Sequence, residues 1–340
     1  MGNQEPANSA NQLPQGKPRS GWSLHHALLH RRLKARQLLP AQAHVLVSVS
    51  GGQDSLCLLR LLLDLQPKWH WHLAVAHCDH GWSGDVGNAD FVRRLVAEWH
   101  LPLLVETATD LPETEAAART WRYQTLATLA QQHHFTHVVT GHTASDRAET
   151  LLYNLLRGSG TDGLQALTWQ RELVFGVQLV RPLLAMTRQA TAEFCRAHQI
   201  PVWDDPANRD RRFARSRIRQ DLLPYLQTHF NPQVDTTLAQ TAELLQADVA
   251  YLEASATELL DQVWQPGTIA VNRAILKQAP LALQRRVLRQ FLQQTLPTAA
   301  YFEHVEKLVG LLTAPQGART DPFPGGAIAL VDGEWLRLES

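Results

Sequence analysis

Short apolar runs punctuate the first half of the chain: Val45–Val49, Leu73–Ala76, Leu103–Glu106 and Val138–Thr140. Between them, Leu56–Leu65, Asn88–His100 and Glu113–His133 carry apolar residues at helical spacing. Strands alternating with amphipathic helices predict βαβ units, hence an α/β fold with a doubly wound, mainly parallel, Rossmann-like sheet. A short basic helix, His25–Leu39, precedes the first strand and is closed by Pro40. Ligands of such sheets bind beyond the carboxyl ends of the strands, and the sharp motifs of this chain fall there.

The second half reads differently. A helix over Arg188–His198 leads into an irregular stretch, Pro201–Arg212, and Pro224 and Pro232 interrupt the chain beyond it. Long helical patterns cover Val234–Trp264, Leu281–Leu296 and Ala300–Leu312. Residues 324–338 alternate around Gly325-Gly326 and Asp332-Gly333, as in a small hairpin. The predicted organisation is a disordered tail over 1–22, an α/β domain over 23–223 and a mostly helical domain over 224–340, divided near Pro224.

Composition bounds the function classes. The 340 residues suffice for two cores, and 44% hydrophobic with 19% charged residues is ordinary for soluble proteins. No apolar run approaches membrane-spanning length, and Met1–Gly21 is polar, without the apolar core of a signal peptide. Cys57, Cys78 and Cys195 lie far apart without a Cys-x-x-Cys pair, which fits a reducing cytoplasm and argues against zinc knuckles or a disulfide scaffold. The net charge of +0 does not announce nucleic-acid binding, but the basic residues are mostly Arg and partly clustered, suited to bidentate phosphate contacts.

The most informative element comes directly after the first strand: Ser50-Gly51-Gly52-Gln53-Asp54-Ser55, running straight into a helix. Gly51 and Gly52 allow backbone to approach an anion without an intervening Cβ. The amides and dipole of the first helical turn face that anion, and Ser50 and Ser55 add hydroxyl donors. Asp54 cannot bind phosphate directly, and is expected to hold Mg²⁺ against it. The turn holds no Gly-Lys-Ser/Thr and no Gly-x-Gly-x-x-Gly, so it is neither a Walker A loop nor a dinucleotide fingerprint.

Two further clusters stand at strand ends. Ala76-His77-Cys78-Asp79-His80-Gly81 reads either as the wall of an adenosine pocket, with His77 and His80, or as a capped strand end with surface histidines. A closed zinc site would need four N or S ligands, which this turn does not supply. Thr140-Gly141-His142-Thr143-Ala144-Ser145-Asp146-Arg147-Ala148-Glu149-Thr150 places Asp146 and Glu149 three apart at a helix start, and Arg157-Gly158-Ser159-Gly160-Thr161-Asp162-Gly163-Leu164 comes next. That spacing serves a capping pair or two neighbouring catalytic carboxylates, while the glycines would leave backbone open to a ligand.

The glycine turn resembles the PP-loop of ATP pyrophosphatases. Over roughly residues 43–223 the elements together resemble the tRNA(Ile)-lysidine synthetase family, in its short form. The family's His-x-x-His-Gly element is matched by His77–Gly81, and its Gly-His-x-x-x-Asp-x-x-Glu-Thr element by Gly141–Thr150. Its Arg-Gly-x-Gly-x-x-Gly-Leu element is matched by Arg157–Leu164, and its Arg-bearing helix by Glu115-Ala116-Ala117-Ala118-Arg119-Thr120-Trp121-Arg122-Tyr123. Its Asp-x-x-Asn-x-Asp…Arg-Asn-Arg-Ile-Arg stretch is similar to Asp205-Pro206-Ala207-Asn208-Arg209-Asp210…Arg215-Ser216-Arg217-Ile218-Arg219. Ser216 stands where Asn is usual and Arg147 where Gln or Asp is common; neither replaces a carboxylate or a loop glycine. The C-terminal part resembles the family's helical tRNA-binding domain more weakly, and the resemblance implies a form without the β-rich domain of longer members.

The resemblance implies an ATP- and Mg²⁺-dependent, cytoplasmic ligase. Its substrates would be free L-lysine and the wobble cytidine of tRNA(Ile) with anticodon CAU, and its assembly a homodimer, common in the family. C2 of the base would be adenylated and then substituted by lysine, giving lysidine, which pairs with A instead of G. ATP would contact Ser50, Gly51, Gly52, Gln53, Asp54, Ser55, His77, His80, Gly141 and His142. Asp146 and Glu149 would handle lysine. Arg119, Arg122, Arg215 and Arg219 would stabilise the adduct or contact tRNA phosphates, with Arg217 on a solvated face. Trp203 or Trp121 could stack on the flipped base, although aromatics more often fill cores. The rivals are a tRNA thiolase, an amidating synthetase of the same fold, and a non-catalytic RNA-binding adaptor.

Overall fold

A computed structural model describes residues 22–82, 86–204, 211–264, 267–296 and 301–339. The expected tail and the Asp205–Asp210 stretch lie outside the described residues. By contacts the chain forms two compact units: Met1–Tyr153 with Leu167–Ala239, and Asn154–Ala166 with Gln240–Ser340.

In chain order the elements begin with α1 (Leu24–Ala35), β1 (His44–Ser48), α2 (Gln53–Trp69), β2 (His72–Asp79), α3 (Asn88–Glu98) and β3 (Leu103–Thr107). Next come α4 (Glu115–Gln132), β4 (His137–Thr140), α5 (Ala144–Leu156), α6 (Thr161–Leu164), β5 (Gln170–Val174) and β6 (Val177–Val180). They continue with α7 (Arg188–Ala197), α8 (Ala214–Arg217), a π-helical turn (Ile218–Leu222), α9 (Leu223–His229) and α10 (Val234–Val263). The chain closes with β7 (Ala270–Asn272), α11 (Arg273–Leu276), α12 (Leu281–Thr295), α13 (Phe302–Leu311), β8 (Ile328–Asp332) and β9 (Trp335–Glu339).

The first unit is built on a six-stranded sheet in the order β3-β2-β1-β4-β6-β5. All neighbours pair in parallel except β5, which returns antiparallel on β6. β1 lies inside the sheet, with Val45 opposite Leu73 on one side and His137 on the other. Its period of two sorts its side chains between layers. Val45 and Val47 enter the core beneath α2, with Leu56, Leu59 and Phe194, whereas Leu46 enters the opposite core with Leu126 and Ala130 of α4. Burial on both faces explains why β1 reads as an unbroken apolar run. β2 flanks β1 on one side and β4 on the other, so strand order reverses at β1, the topology that opens a crevice at the strand ends.

The apolar pattern does not signal the β5–β6 hairpin. β5 is a polar edge strand, Gln170–Val174, mostly solvent-exposed, so it lacks an apolar signature. The π-helical turn and α9 fall where Pro224 suggests a break; Pro224 lies in the first turn of α9, where its missing N–H costs little. Val234 and Leu238 pack with Ala148, Leu152 and Ile218, which keeps the start of α10 in the first unit.

In the second unit, α12 and α13 pack Val287, Leu288, Phe291 and Leu308 against Leu260 of α10 and the antiparallel sheet β7-β9-β8. β8 and β9 form the expected terminal hairpin, turning at Asp332–Trp335; β7 is a third strand that the pattern does not signal. The glycine-rich segment before α6 belongs here. Asp162 pairs with Arg286 at 3.1 Å and with Arg289, and Asn154 Nδ2 donates to the Gly163 carbonyl at 2.7 Å.

Candidate active site

The glycine turn is held by its carbonyls. Asn88 Nδ2 donates to the Ser50 carbonyl at 3.1 Å, the Trp203 amide to that of Gly51 at 3.0 Å, and Ser55 Oγ to that of Gly52 at 2.9 Å. The amides of the first α2 turn have no intrahelical partner and carry the positive end of the dipole. Gly51 sits at φ +85°, and a Cβ there would lie 2.5 Å from Asn88 Oδ1 and 3.1 Å from Trp203 Cβ. Gly141, ending β4, is equally constrained: a Cβ would meet the Asp54 carbonyl oxygen at 2.8 Å. A cavity of about 190 Å³ opens between these strand ends, lined by Ser50, Asp54, Ser55, His80, Gly141 and His142 among others.

Three carboxylates converge on two arginines. Asp54, in the first turn of α2, accepts from Thr191 Oγ1 and from Arg188 Nε at 3.1 Å. Arg188 Nη2 reaches Asp146 at 3.2 Å, and its Nη1 lies 3.8 Å from Glu149. Arg219 grips Glu149 through Nε and Nη2, both at 2.7 Å, and stands 3.5 Å from Asp146. Asp146 and Glu149 do not cap each other. α5 starts at Ala144, and Thr143 is the capping partner, donating its amide and hydroxyl to Asp146 at 2.8 and 2.7 Å. That releases Glu149, one turn further along, to face Arg219.

Burial and charge separate the acids. Burial pushes the Glu149 carboxyl above its ordinary range; the Arg219 hydrogen bonds oppose this and the Asp146 charge adds to it. Asp54 is raised too, by burial first, against the pull of Arg188. Burial would also raise Asp146, but Arg188, His142 and Arg219 outweigh it and hold it down at about 2. Burial lowers His142 to about 3 despite Asp146, so its imidazole is neutral, hydrogen-bonded to Thr140 Oγ1 at 2.8 Å. The three acids hold the Arg188 guanidinium firmly protonated even though burial works against its charge.

Next to this cluster lies a cavity of about 440 Å³. Of the arginines named from sequence, Arg119, Arg122, Arg215 and Arg219 all line it, with Arg188. Arg119 and Arg122 approach the Tyr123 ring at 5.0 and 5.7 Å, and Arg215 the Tyr153 ring at 5.5 Å. Arg217 is exposed, as expected. Arg147 is buried, with its guanidinium 5.8 Å from the Trp169 ring. Trp203 packs on the glycine turn beside Phe91, and Trp121, half-buried, packs against the sheet core with its ring 5.7 Å from that of His80.

Two residues of the expected nucleotide set have side chains engaged elsewhere. Gln53 Nε2 donates to the Arg188 carbonyl at 2.8 Å, tying α2 to α7. His77 is buried, with Nδ1 2.8 Å from the Val49 carbonyl, bracing β2 against β1. His80 lines both cavities and stacks on Trp82 with centroids 5.0 Å apart. Arg188 was missed by sequence reasoning, although a signal existed. It opens α7 directly after the Thr187 cap, where the dipole disfavours a cation, so local helix chemistry does not explain it.

Family models match the chain twice, as a PP-loop domain over residues 26–226 and as a TilS substrate binding domain over 272–334. It is 54% identical over 334 residues to the tRNA(Ile)-lysidine synthase of Nostoc sp. (strain PCC 7120), covering 94% of this chain and 98% of that one. The Synechocystis sp. (strain PCC 6803) enzyme of the same name is 50% identical, with 93% and 98% covered. A chloroplastic tRNA(Ile)-lysidine synthase of Zygnema circumcarinatum is 34% identical, with 82% and 77% covered. Among solved structures, the U34-tRNA thiolase NcsA of Methanococcus maripaludis shares the fold, with TM-score 0.55 at 16% identity over 65% of this chain and 78% of that one. With the glycine turn, the paired acids and near-full-length identity in agreement, the chain belongs to the tRNA(Ile)-lysidine synthase family.

Proposed function

We propose that this protein uses ATP to join free L-lysine to C2 of the wobble cytidine of tRNA(Ile) with anticodon CAU. The cytidine C2 oxygen attacks the α-phosphorus of ATP, pyrophosphate departs, and the ε-amine of lysine then displaces AMP. The product base pairs with A instead of G. The observation that carries the residue assignments is the pair Asp146 and Glu149, driven apart in acidity within one helical turn and bordering the arginine-lined cavity.

The roles follow from that divergence. Lysine arrives as an ammonium with ordinary pKa about 10.4, and only the neutral amine attacks. Asp146, held ionised, binds the ammonium; the Glu149 carboxylate, whose proton affinity burial raises, takes the proton. Arg188 and Arg219 offset the charge that builds on the adenylated base. Arg119, Arg122 and Arg215 suit the phosphates and bases of an unpaired anticodon loop.

The glycine turn and the α2 amides suit a triphosphate. Asp54 fits Mg²⁺ in the usual way, one carboxylate completed by phosphate oxygens and water. Among the described residues no group of three His, Cys, Asp or Glu could hold a metal by itself. When bound there, Mg²⁺ would neutralise charge on the departing pyrophosphate.

The thiolase reading fares worse, because burial pushes the Cys57 thiol up, that of Cys78 to about 11 and that of Cys195 to about 12, away from nucleophilic thiolates. Free, buried cysteines also support the cytoplasmic reading. No helix among the described residues is long and apolar enough to cross a membrane. A homodimer belongs to the same reading, and light scattering tests it. The deciding assay is radiolabelled lysine with ATP and the tRNA(Ile) transcript. Lysine enters the tRNA with release of AMP; a wild-type protein that releases no AMP would sink the proposal.

A further inference from the structure

The active site uses only one end of β4. His137 opens that strand, about 10 Å of extended chain from Thr140 at its other end. Around His137, on the side of the sheet that α1 covers, lies a groove of about 500 Å³. Leu33, Leu38, Leu39 and Trp69 give it an apolar wall. Trp69 is stacked on Trp71, with centroids 5.2 Å and planes 10° apart, which fixes its ring.

Three side-chain amides, those of Gln37, Gln170 and Gln178, line the same groove. None of them has a hydrogen-bond partner among the described residues. Strand pairing sets His137 opposite Gln178, and Val180 opposite Gln170, so His137, Gln170 and Gln178 share one face of the sheet. Val139 and Val180, next along that face, are buried in the core beneath α2. The polar positions begin where the helix cover ends. Each amide offers both donors and an acceptor, the complement of a nucleobase edge.

The flank of the groove is cationic. Between Glu5 and Asp54 the sequence holds six Lys and Arg and no acid. Lys34 lines the groove, and Arg31, one turn before it on α1, is exposed beside it. Among the described residues no carboxylate pairs with Arg31, Arg32, Lys34 or Lys68. Burial lowers the Arg32 guanidinium, and the neighbouring charges of Arg36 and Arg31 add to this. Burial lowers His30 likewise, with Lys68 and Lys34 adding to it. The helix dipole favours cations in the last turn of α1, which accounts for Arg32 and Lys34. It does not account for Arg31, Lys68 or the three amides.

We propose that this groove holds an unpaired nucleotide of the tRNA outside its anticodon arm, the base against Trp69 and the glutamine amides, the flanking phosphates on Arg31 and Lys34. A free nucleotide would concentrate its charge at one point, whereas the cations spread along α1 and onto Lys68 match a chain of phosphates. Unpaired bases of RNA are read on their edges in this way. The groove lies at the opposite end of β4 from the reacting acids, so it adds a second hold on the substrate and takes no part in the chemistry.

The test measures binding of the full tRNA(Ile) transcript and of its isolated anticodon stem-loop by fluorescence anisotropy over a series of salt concentrations. The double variant R31Q/K34Q should bind the full transcript about tenfold more weakly, with the salt slope reduced by about one to two. Gln178→Ala should weaken it about threefold to tenfold with the slope unchanged, because an amide contact releases no counterion. Neither change should alter binding of the stem-loop. Full-transcript binding that is unchanged in both variants overturns the proposal, as does an equal loss for the stem-loop, which would place these cations on the reacting arm. If the wild type binds neither RNA, tRNA(Ile) is the wrong ligand and the functional reading falls with the groove.

Discussion

Arg219 holds Glu149 in a two-pronged grip, Nε to Oε1 and Nη2 to Oε2, each at 2.7 Å, with the Glu149 side chain 4% exposed and that of Arg219 26%. The forked geometry fits a guanidinium and not an ammonium. Arg219→Ala leaves a buried carboxylate with only Arg188 at 3.8 Å. The expected destabilisation is at the low end of about 3–5 kcal/mol, because Arg219 is partly solvated. Urea unfolding measures it, and Arg219→Lys should recover part of the stability but little of the lysine transfer.

Glu149→Gln separates the partial reactions. The amide fills the same space but takes no proton, so adenylation of the tRNA should outlast lysine transfer by at least about 100-fold. Labelled ATP and labelled lysine, followed in parallel, report the two steps. Equal loss of both would remove Glu149 from proton handling.

Asp54→Asn should abolish ATP–pyrophosphate exchange while leaving the fold intact. Burial already disfavours the Asp54 charge, so its neutralisation costs the fold little. A variant that exchanges pyrophosphate at the wild-type rate would show that Asp54 serves only as the partner of Arg188 and Thr191.

His142 and Asp146 should each make acid destabilising, against Glu149 and Asp54, whose raised carboxyls pull the other way. His142 is lowered to about 3, against an ordinary value of about 6.5, so the unfolded chain binds a proton that the folded one refuses. Stability therefore falls as pH drops below about 6.5, by up to about 1.4 kcal/mol per pH unit for one such group. Asp146 works in the same direction lower down: its contribution is complete above about 3.9 and fades as pH falls toward about 2. Denaturant midpoints at pH 7 and pH 5 should differ in the wild type and differ less in His142→Gln.

Gly141→Ala should impair nucleotide use from outside the loop. The new methyl would press 2.8–2.9 Å from the Asp54 and Ser55 backbone, which cannot swing away as a side chain could. Overpacking of this kind costs about 1–3 kcal/mol. The expected result is a raised KM for ATP with a lowered thermal midpoint.

Much of this arrangement was legible in the sequence because it is local. Ser50–Ser55 and Asp146 to Glu149 are contiguous, and the apolar period of β1 and α2 announces where they sit. What escaped was long-range. Arg188 meets Asp54 across 134 positions, and no spacing rule links them. The capping role fell to Thr143 rather than to Glu149 because α5 starts two residues before Asp146, a boundary that periodicity does not resolve. β5 stayed hidden because an edge strand with polar side chains carries no alternation to read.

The grip on Asp54 has a consequence for biosynthesis. Thr191 and Arg188, which complete it, sit well over a hundred residues downstream of the glycine turn, and Trp203, which clasps Gly51, comes later still. A ribosome translating this message releases the phosphate cradle long before the clasp that finishes it. The cradle and its clasp therefore come together only once the polypeptide has been delivered through Trp203.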